Sequence, residues 1–428
     1  MIVFWFRRDL RLEDNTALYY AFQENELVLP IFIFDKTILF NLEPEDARVT
    51  FIHTQLLQIQ HSLQKHGKKI AVFYGDPLLI IKDIVNKNTI RGVYCNHDYE
   101  PSAIERDQTI EKFLHANQIF FKTFKDQVIF EKSEVIKENG SPYLIYTPYS
   151  KKWKELYFSQ NKIHFNAEKY VHKIVEHAYP FLSLIDIGFK HTKINIPNYN
   201  FQKELIENYE IRRNYPAIEG TSKIGIYLRF GIVSIRKIVE YARSFENQTY
   251  LNELIWREFF MQILWHFPQT VHTCFKPRYD FIEWENNELL FKKWCAGETG
   301  YPIVDAGMRE LNSTGFMHNR VRMIVASFLC KHLLIDWKWG EKYFALKLLD
   351  YEQSSNVGNW QWAAGCGVDA APYFRIFNPS EQTKKFDAAY LYIKKWVPEW
   401  QSTDYIPPIV EHRFARERCL RVFRKALN

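Results

Sequence analysis

The sequence predicts two domains of different class. An α/β domain with a parallel sheet covers residues 1–125, and an all-α domain covers 200–428. Three observations carry this. In the first third, short β-branched or aromatic runs alternate with helical stretches, the pattern of strands joined by crossover helices. From Tyr199 onward the pattern is helical alone, with breaks at Gly and Pro near 215–220, 267–277, 297–302 and 338–340. A chain of 428 residues is also long enough for two hydrophobic cores.

The elements of the first domain follow in order. Strands are predicted at Ile2–Phe6, Val28–Phe34, Ile70–Tyr74, Gly92–Cys95 and Phe120–Phe124. Helices are predicted at Thr16–Gln23, Glu45–His66, Pro77–Asn86 and Ser102–Ala116. No G-x-G-x-x-G occurs, so the domain is Rossmann-like in topology without a dinucleotide fingerprint. Residues 126–199 lack periodicity. Asn139-Gly-Ser-Pro142 reads as a turn and Ile194-Asn-Ile-Pro197 as extended chain, so this stretch is expected to be an interdomain linker.

Composition narrows the classes. The net charge of +6 is mild; it permits a local basic face without requiring nucleic acid as partner. The six cysteines are scattered with no C-x-x-C, so neither a zinc site nor a disulfide framework is indicated. No apolar run suits a signal peptide or a membrane span. The expectation is a cytoplasmic, monomeric protein without metal. Aromatic residues make up 17% of the chain, with 12 Trp, which suits either a Trp-rich core or stacking and redox-active rings.

Several segments mix buried-type apolar residues with Asn, Arg, Asp, His and Trp, most densely at 299–323 and 349–362. Buried polar groups need partners, so this frame suggests a large, flat ligand with polar edges. Arg322 and Asp350 each stand in apolar surroundings, where a paired burial is expected. Glu253, Trp256 and Arg257 lie at i, i+3 and i+4 and so share a helix face, a combination suited to stacking on a base and bonding its polar edge. Asn319 and Met323 also share a face. Gly220-Thr-Ser-Lys-Ile-Gly225 precedes a helical run; by itself it reads as an ordinary Thr/Ser cap more readily than as a phosphate-binding turn.

Five strings in order resemble the photolyase/cryptochrome family, most closely class I photolyases of cyclobutane pyrimidine dimers. They are FWFRRDLRLEDN (4–15), GTSKIGIYLRFG (220–231), ELIWREFF (253–260), GYPIVDAGMRELNSTGFMHNRVRM (300–323) and WQWAAGCGVDAAPYFRIFNP (360–379). The resemblance implies FAD in the helical domain and a light-driven DNA repair lyase, with electron transfer from reduced FAD to the dimer. It implies cofactor contacts at Tyr209, Thr221, Ser222, Lys223, Ile224, Gly225, Arg322, Asp350, Tyr351, Glu352 and Asn356. Gly225 replaces a usual Ser and Glu352 a usual Asp. Asn356 would face flavin N5, and Trp284, Trp337 and Trp360 would pass electrons to the flavin. Contacts to duplex DNA carrying a flipped dimer are implied for Glu253, Trp256, Arg257, Asn319, Arg320, Met323, Trp362, Arg375 and Gln382. A second antenna chromophore, folate or deazaflavin in type, is possible near Asn96, Glu100, Cys274 and Lys276. The alternatives are a cryptochrome photoreceptor and a (6-4) photolyase. Asn356, where plant cryptochromes carry an acid and insect ones a Cys, favours a lyase.

Overall fold

A computed structural model describes residues 1–161 and 163–428. The chain divides into two compact units. The first holds 1–134, 153–196 and 225–244; the second holds 135–152, 197–224 and 245–428. The stretch 126–199, expected as a linker, is therefore shared between them, and its residue 162 lies outside the described residues.

The first unit contains a five-stranded parallel sheet in the order β3-β2-β1-β4-β5. The strands are β1 Ile2–Phe6, β2 Val28–Asp35, β3 Ala71–Gly75, β4 Gly92–Asn96 and β5 Phe120–Phe124. Every residue of β1 is buried, as expected for a central parallel strand covered on both faces. Ile2 pairs with Val28 on one side and Gly92 on the other. The order reverses at β1, which opens a crevice beyond the carboxyl ends of β1 and β4. The predicted helices are present as Thr16–Gln23, Ala47–Gln64, Pro77–Lys87 and Pro101–Ala116. Asn15, Asp46 and Asp76 cap the first three by accepting from backbone N–H groups.

This unit is tied together by a buried ion network. Arg11 donates to both oxygens of Asp126 at 2.7–2.8 Å, and Arg236 reaches both Asp126 and Asp14. Asp126 is 1% exposed, so its charge requires these two guanidinium groups. They hold its carboxyl below the usual range against the opposing pull of burial.

Among the described residues the second unit contains helices and no strand. A core of Trp294, Val304, Met308, Ile324, Phe328, Trp337 and Trp360 joins helices Glu288–Ala296, Pro302–Thr314, Asn319–Ser327, Trp337–Lys347 and Gln353–Ala364. Two glycines set close approaches. A Cβ on Gly340 would lie 2.1 Å from Trp360, and one on Gly358 would lie 2.3 Å from Phe260. Helix Gln353–Ala364 is thus pressed against its neighbours on two sides.

Candidate functional site

A cleft in the helical unit is lined by Asn319, Arg322, Met323, Asp350, Tyr351, Glu352, Asn356, Trp360 and Trp362, all singled out from the sequence. Ala326, Phe344, Leu348, Ser355, Asn359 and Ala363 complete it. Residues separated by some forty positions in the chain meet here because helices Asn319–Ser327 and Gln353–Ala364 pack together.

The expected Arg322–Asp350 pair is present. Arg322 Nη2 donates to both Asp350 oxygens at 2.9 and 3.1 Å, while its Nε donates to Met317 O at 2.7 Å. The guanidinium also lies 5.6 Å from the Phe316 ring centroid. Fixed on three sides, this cation can stabilise an anion in the cleft.

Asn356 is oriented by a residue that the sequence did not reveal. Its Nδ2 donates to Glu341 Oε1 at 2.9 Å and to Glu341 O at 3.1 Å. The backbone oxygen can only accept, so the amide nitrogen must face it and Oδ1 is the free end. Burial holds the Glu341 carboxyl above the usual range, and the bonds from Asn356 and Tyr351 partly offset this. A Glu fifteen residues upstream carries no local signal; only the packing of helices Trp337–Lys347 and Gln353–Ala364 brings it here.

Glu352 and Arg257, expected on different ligands, are paired with each other in the protein. Arg257 Nε and Nη2 lie 3.1 and 3.2 Å from the two Glu352 oxygens. Glu253 was expected to bond to a ligand or to water, yet its carboxylate is met by Arg213. The Arg213 guanidinium in turn lies 5.7 Å from the Tyr209 ring centroid. The shared helix face therefore exists, but its charges are already neutralised within the protein.

Tyr209, Thr221, Ser222, Lys223 and Ile224 do not line the cleft. Ser222 bonds to Tyr250 OH at 2.7 Å, and Tyr250 packs edge-on to Tyr209 at 4.9 Å. Lys223 has φ +56, an unusual left-handed conformation outside glycine, and its ammonium is paired with Glu219. Gly225 falls in the first unit.

Of the tryptophans, Trp360 is 2% exposed in the cleft wall, Trp337 is buried with an unpartnered indole N–H, and Trp284 is half-buried. Trp294, not foreseen, lies 6.1 Å from Trp360. Trp256 stacks on Tyr146 with centroids 3.7 Å apart and planes 6° from parallel. Arg320 donates to Asn214 at 2.6 Å and lies over Phe386. Burial and the charges of Arg213 and Arg375 lower its pKa, so three guanidinium groups share one electropositive region. Arg375 is exposed, and Gln382 is half-buried on the helix that carries Phe386.

Part of the polar load that suggested a ligand is satisfied internally. Asp305, 0% exposed, accepts from Thr299 N, Thr299 Oγ1, Gly300 N and Tyr405 OH at 2.6–3.1 Å. His318 accepts from Arg320 N through Nδ1 and caps its helix. These residues shape the turns that lead into the cleft.

The first unit holds a separate cavity of about 430 Å³ at the crevice beyond β1. Its polar lining includes Arg7, Arg8, Asp98, Glu100, Arg106 and Arg229. Glu100 is bound there by Arg8 and Arg229 at 3.1 and 3.0 Å. Asn96 is committed elsewhere, to Asp9, Asn15 and Ala17 N. Cys274 and Lys276 belong to the helical unit.

Comparison with known proteins agrees with this architecture. A family model described as "DNA photolyase" matches residues 2–167, and one described as "FAD binding domain of DNA photolyase" matches 250–404. The chain is 35% identical to the deoxyribodipyrimidine photo-lyase of Escherichia coli, covering 99% of this chain and 98% of that one. It is 34% identical to that of Alkalihalophilus pseudofirmus, with coverage of 98% and 97%. Among solved structures, a class III photolyase from Agrobacterium tumefaciens matches with a TM-score of 0.88 at 32% identity, covering 99% of this chain and 97% of that chain. A photolyase from Sulfolobus tokodaii, solved with two FAD molecules, matches at 0.84 and 34%, covering 99% of each. A Synechocystis cryptochrome matches at 0.84 and 25%, again covering 99% of each.

Proposed function

The chain belongs to the DNA photolyase family, and from that premise we propose that it splits cyclobutane pyrimidine dimers in DNA under light. The observation that carries this is the cleft itself. One wall joins a fixed cation at Arg322, an acceptor at Asn356 and flat or polarisable side chains at Trp362 and Met323. That combination suits a flavin ring beneath a flipped pair of bases.

The residues fit FAD. Arg322, Asp350, Tyr351, Glu352 and Asn356 would hold its ring system, with Tyr209 and the Thr221–Ile224 turn toward its phosphates. FAD, when bound and reduced, supplies an electron on absorbing light. The protein positions the cofactor and sets its charge. Arg322 favours a negative ring, and the outward Oδ1 of Asn356 accepts a proton donor at the ring edge. Trp284, Trp337 and Trp360 form the route by which electrons enter from the surface.

Trp256 and Trp362 offer stacking surfaces to the lesion, while Glu253, Arg257, Asn319 and Met323 contact its edges. Arg320, Arg375 and Gln382 contact the DNA backbone around it, where guanidinium groups neutralise phosphates. The partner is duplex DNA with the dimer flipped out of the stack, and the protein acts as a cytoplasmic monomer. The cavity of the first unit suits a planar antenna chromophore. The lower identity to the cryptochrome than to the photolyases favours the lyase reading.

The test is an absorption spectrum of the purified protein, followed by dimer loss from UV-irradiated DNA in light and in darkness. Flavin bands and light-dependent repair are expected. A colourless preparation that takes up no FAD on refolding overturns the reading.

A further inference from the structure

We propose that Tyr146 is a positioning residue for lesion recognition, its ring holding the Trp256 indole in one fixed orientation as a preformed stacking platform. This rests on the lesion-binding role of Trp256 stated above.

Tyr146 comes from the stretch between the two sequence-predicted domains, yet it belongs to the helical unit. Its ring lies face to face on Trp256, 3.7 Å between centroids and 6° from parallel. Both side chains are partly exposed, so the stack reaches the protein surface.

Three further contacts fix the tyrosine. Its hydroxyl donates to Asn252 O at 2.8 Å, one turn before Trp256 on the same helix. Its backbone N–H donates to Asp369 Oδ2 at 3.1 Å. One turn along its own helix, Tyr149 packs on Phe259 at 5.1 Å. The ring is thus tied at its hydroxyl and at its backbone.

The consequence for Trp256 is physical. A partly exposed indole on a helix can turn about two bonds, and ordering it on binding costs entropy. Tyr146 covers one face, and Phe260 leans against the indole from the same helix at 5.6 Å. The covered face is closed to a base. What remains of the indole is presented in one orientation beside Glu253, so a flipped dimer meets stacking surface and carboxylate in fixed register. The Tyr hydroxyl stays neutral there, since burial and the nearby Glu253 charge both raise its pKa.

The test measures binding of FAD-containing protein to a duplex with one thymine dimer and to the same duplex undamaged. Variants are Tyr146→Ala, Tyr146→Phe, Trp256→Ala and the double variant Tyr146→Ala/Trp256→Ala. Tyr146→Ala should keep FAD and bind the dimer duplex roughly three- to tenfold more weakly, the worth of an aromatic pair. Tyr146→Phe keeps the ring and should stay within about twofold of the parent. In the Trp256→Ala background, Tyr146→Ala should have no further effect, because a positioning residue acts only through what it positions. An equal loss in both backgrounds would mean a separate structural role and would overturn the proposal. Unchanged or tighter dimer binding by Tyr146→Ala would also overturn it, the latter marking Tyr146 as a cover that the lesion must displace. If Trp256→Ala itself binds the dimer like the parent, the lesion-face reading fails first, and that result is distinguishable from the others.

Discussion

Asn356 donates to Glu341 twice, at 2.9 Å to the side chain and 3.1 Å to the backbone, and this pairing decides which end of the amide faces the cleft. An isolated Asn could present either end. Here the backbone carbonyl of Glu341 forbids the reversed orientation, so the cleft receives an acceptor.

Glu341→Leu should therefore loosen Asn356 more than it unfolds the protein. One of the two bonds from Nδ2 survives, and the loss is about 1 kcal/mol. The melting temperature should fall by a few degrees, roughly 2–4 °C for a domain of this size. Reduced flavin in the variant should reoxidise faster in air than in the parent, because the acceptor at the ring edge is held by one bond instead of two. An unchanged reoxidation rate would detach Asn356 from the flavin.

Trp360→Phe should block photoreduction of the oxidised flavin while leaving light-driven repair by chemically reduced enzyme nearly intact. Trp360 lines the cleft and is buried, so it can exchange electrons with the ring without touching the lesion. Transient absorption checks the first half and a repair assay after dithionite reduction the second. Photoreduction at the parental rate would place the electron route elsewhere.

Glu253→Ala should lower repair of thymine dimers with FAD still bound. In the free protein Glu253 neutralises Arg213, so the substitution leaves a half-buried cation as well as removing an acceptor. A charge-assisted hydrogen bond is worth roughly 1.5–3 kcal/mol, or about ten- to a hundredfold in the affected constant. Yield per absorbed photon at saturating substrate separates a binding loss from a loss after binding. A variant equal to the parent in both would remove Glu253 from the lesion site.

Acid should destabilise the protein through His318. Burial, with Arg322 and Arg320 nearby, pushes this imidazole down to about 4. The unfolded chain takes up the proton near pH 6.5, before the folded chain does. The contribution is complete above that pH and is lost as pH falls from about 6.5 to about 4, reaching at most about 3 kcal/mol. Denaturant titrations across this window should show the loss, and His318→Gln should flatten it. An unchanged slope in the variant would assign the acid sensitivity to other groups.

The sequence by itself determined the architecture of this protein and the identity of its family. Period-two and mixed apolar runs are local properties, so all five strands and the four predicted helices of the first unit could be placed to within two residues of where they lie, while the short helix Lys36–Leu39 was missed. The residues that meet in the cleft were also legible, because Arg322, Asp350 and Asn356 stand in apolar strings whose polar content exceeds what local turns and caps use. Only the tertiary structure decided which charge answers which. Arg257 pairs with Glu352 across 95 positions, Arg213 with Glu253 across 40, and Glu341 with Asn356 across two packed helices. A side chain's character is written at its own position, but a buried charge or amide takes its partner from whatever the packing brings within hydrogen-bond reach. For the same reason Tyr146, in a stretch that read as a featureless linker, becomes part of the face that carries Trp256.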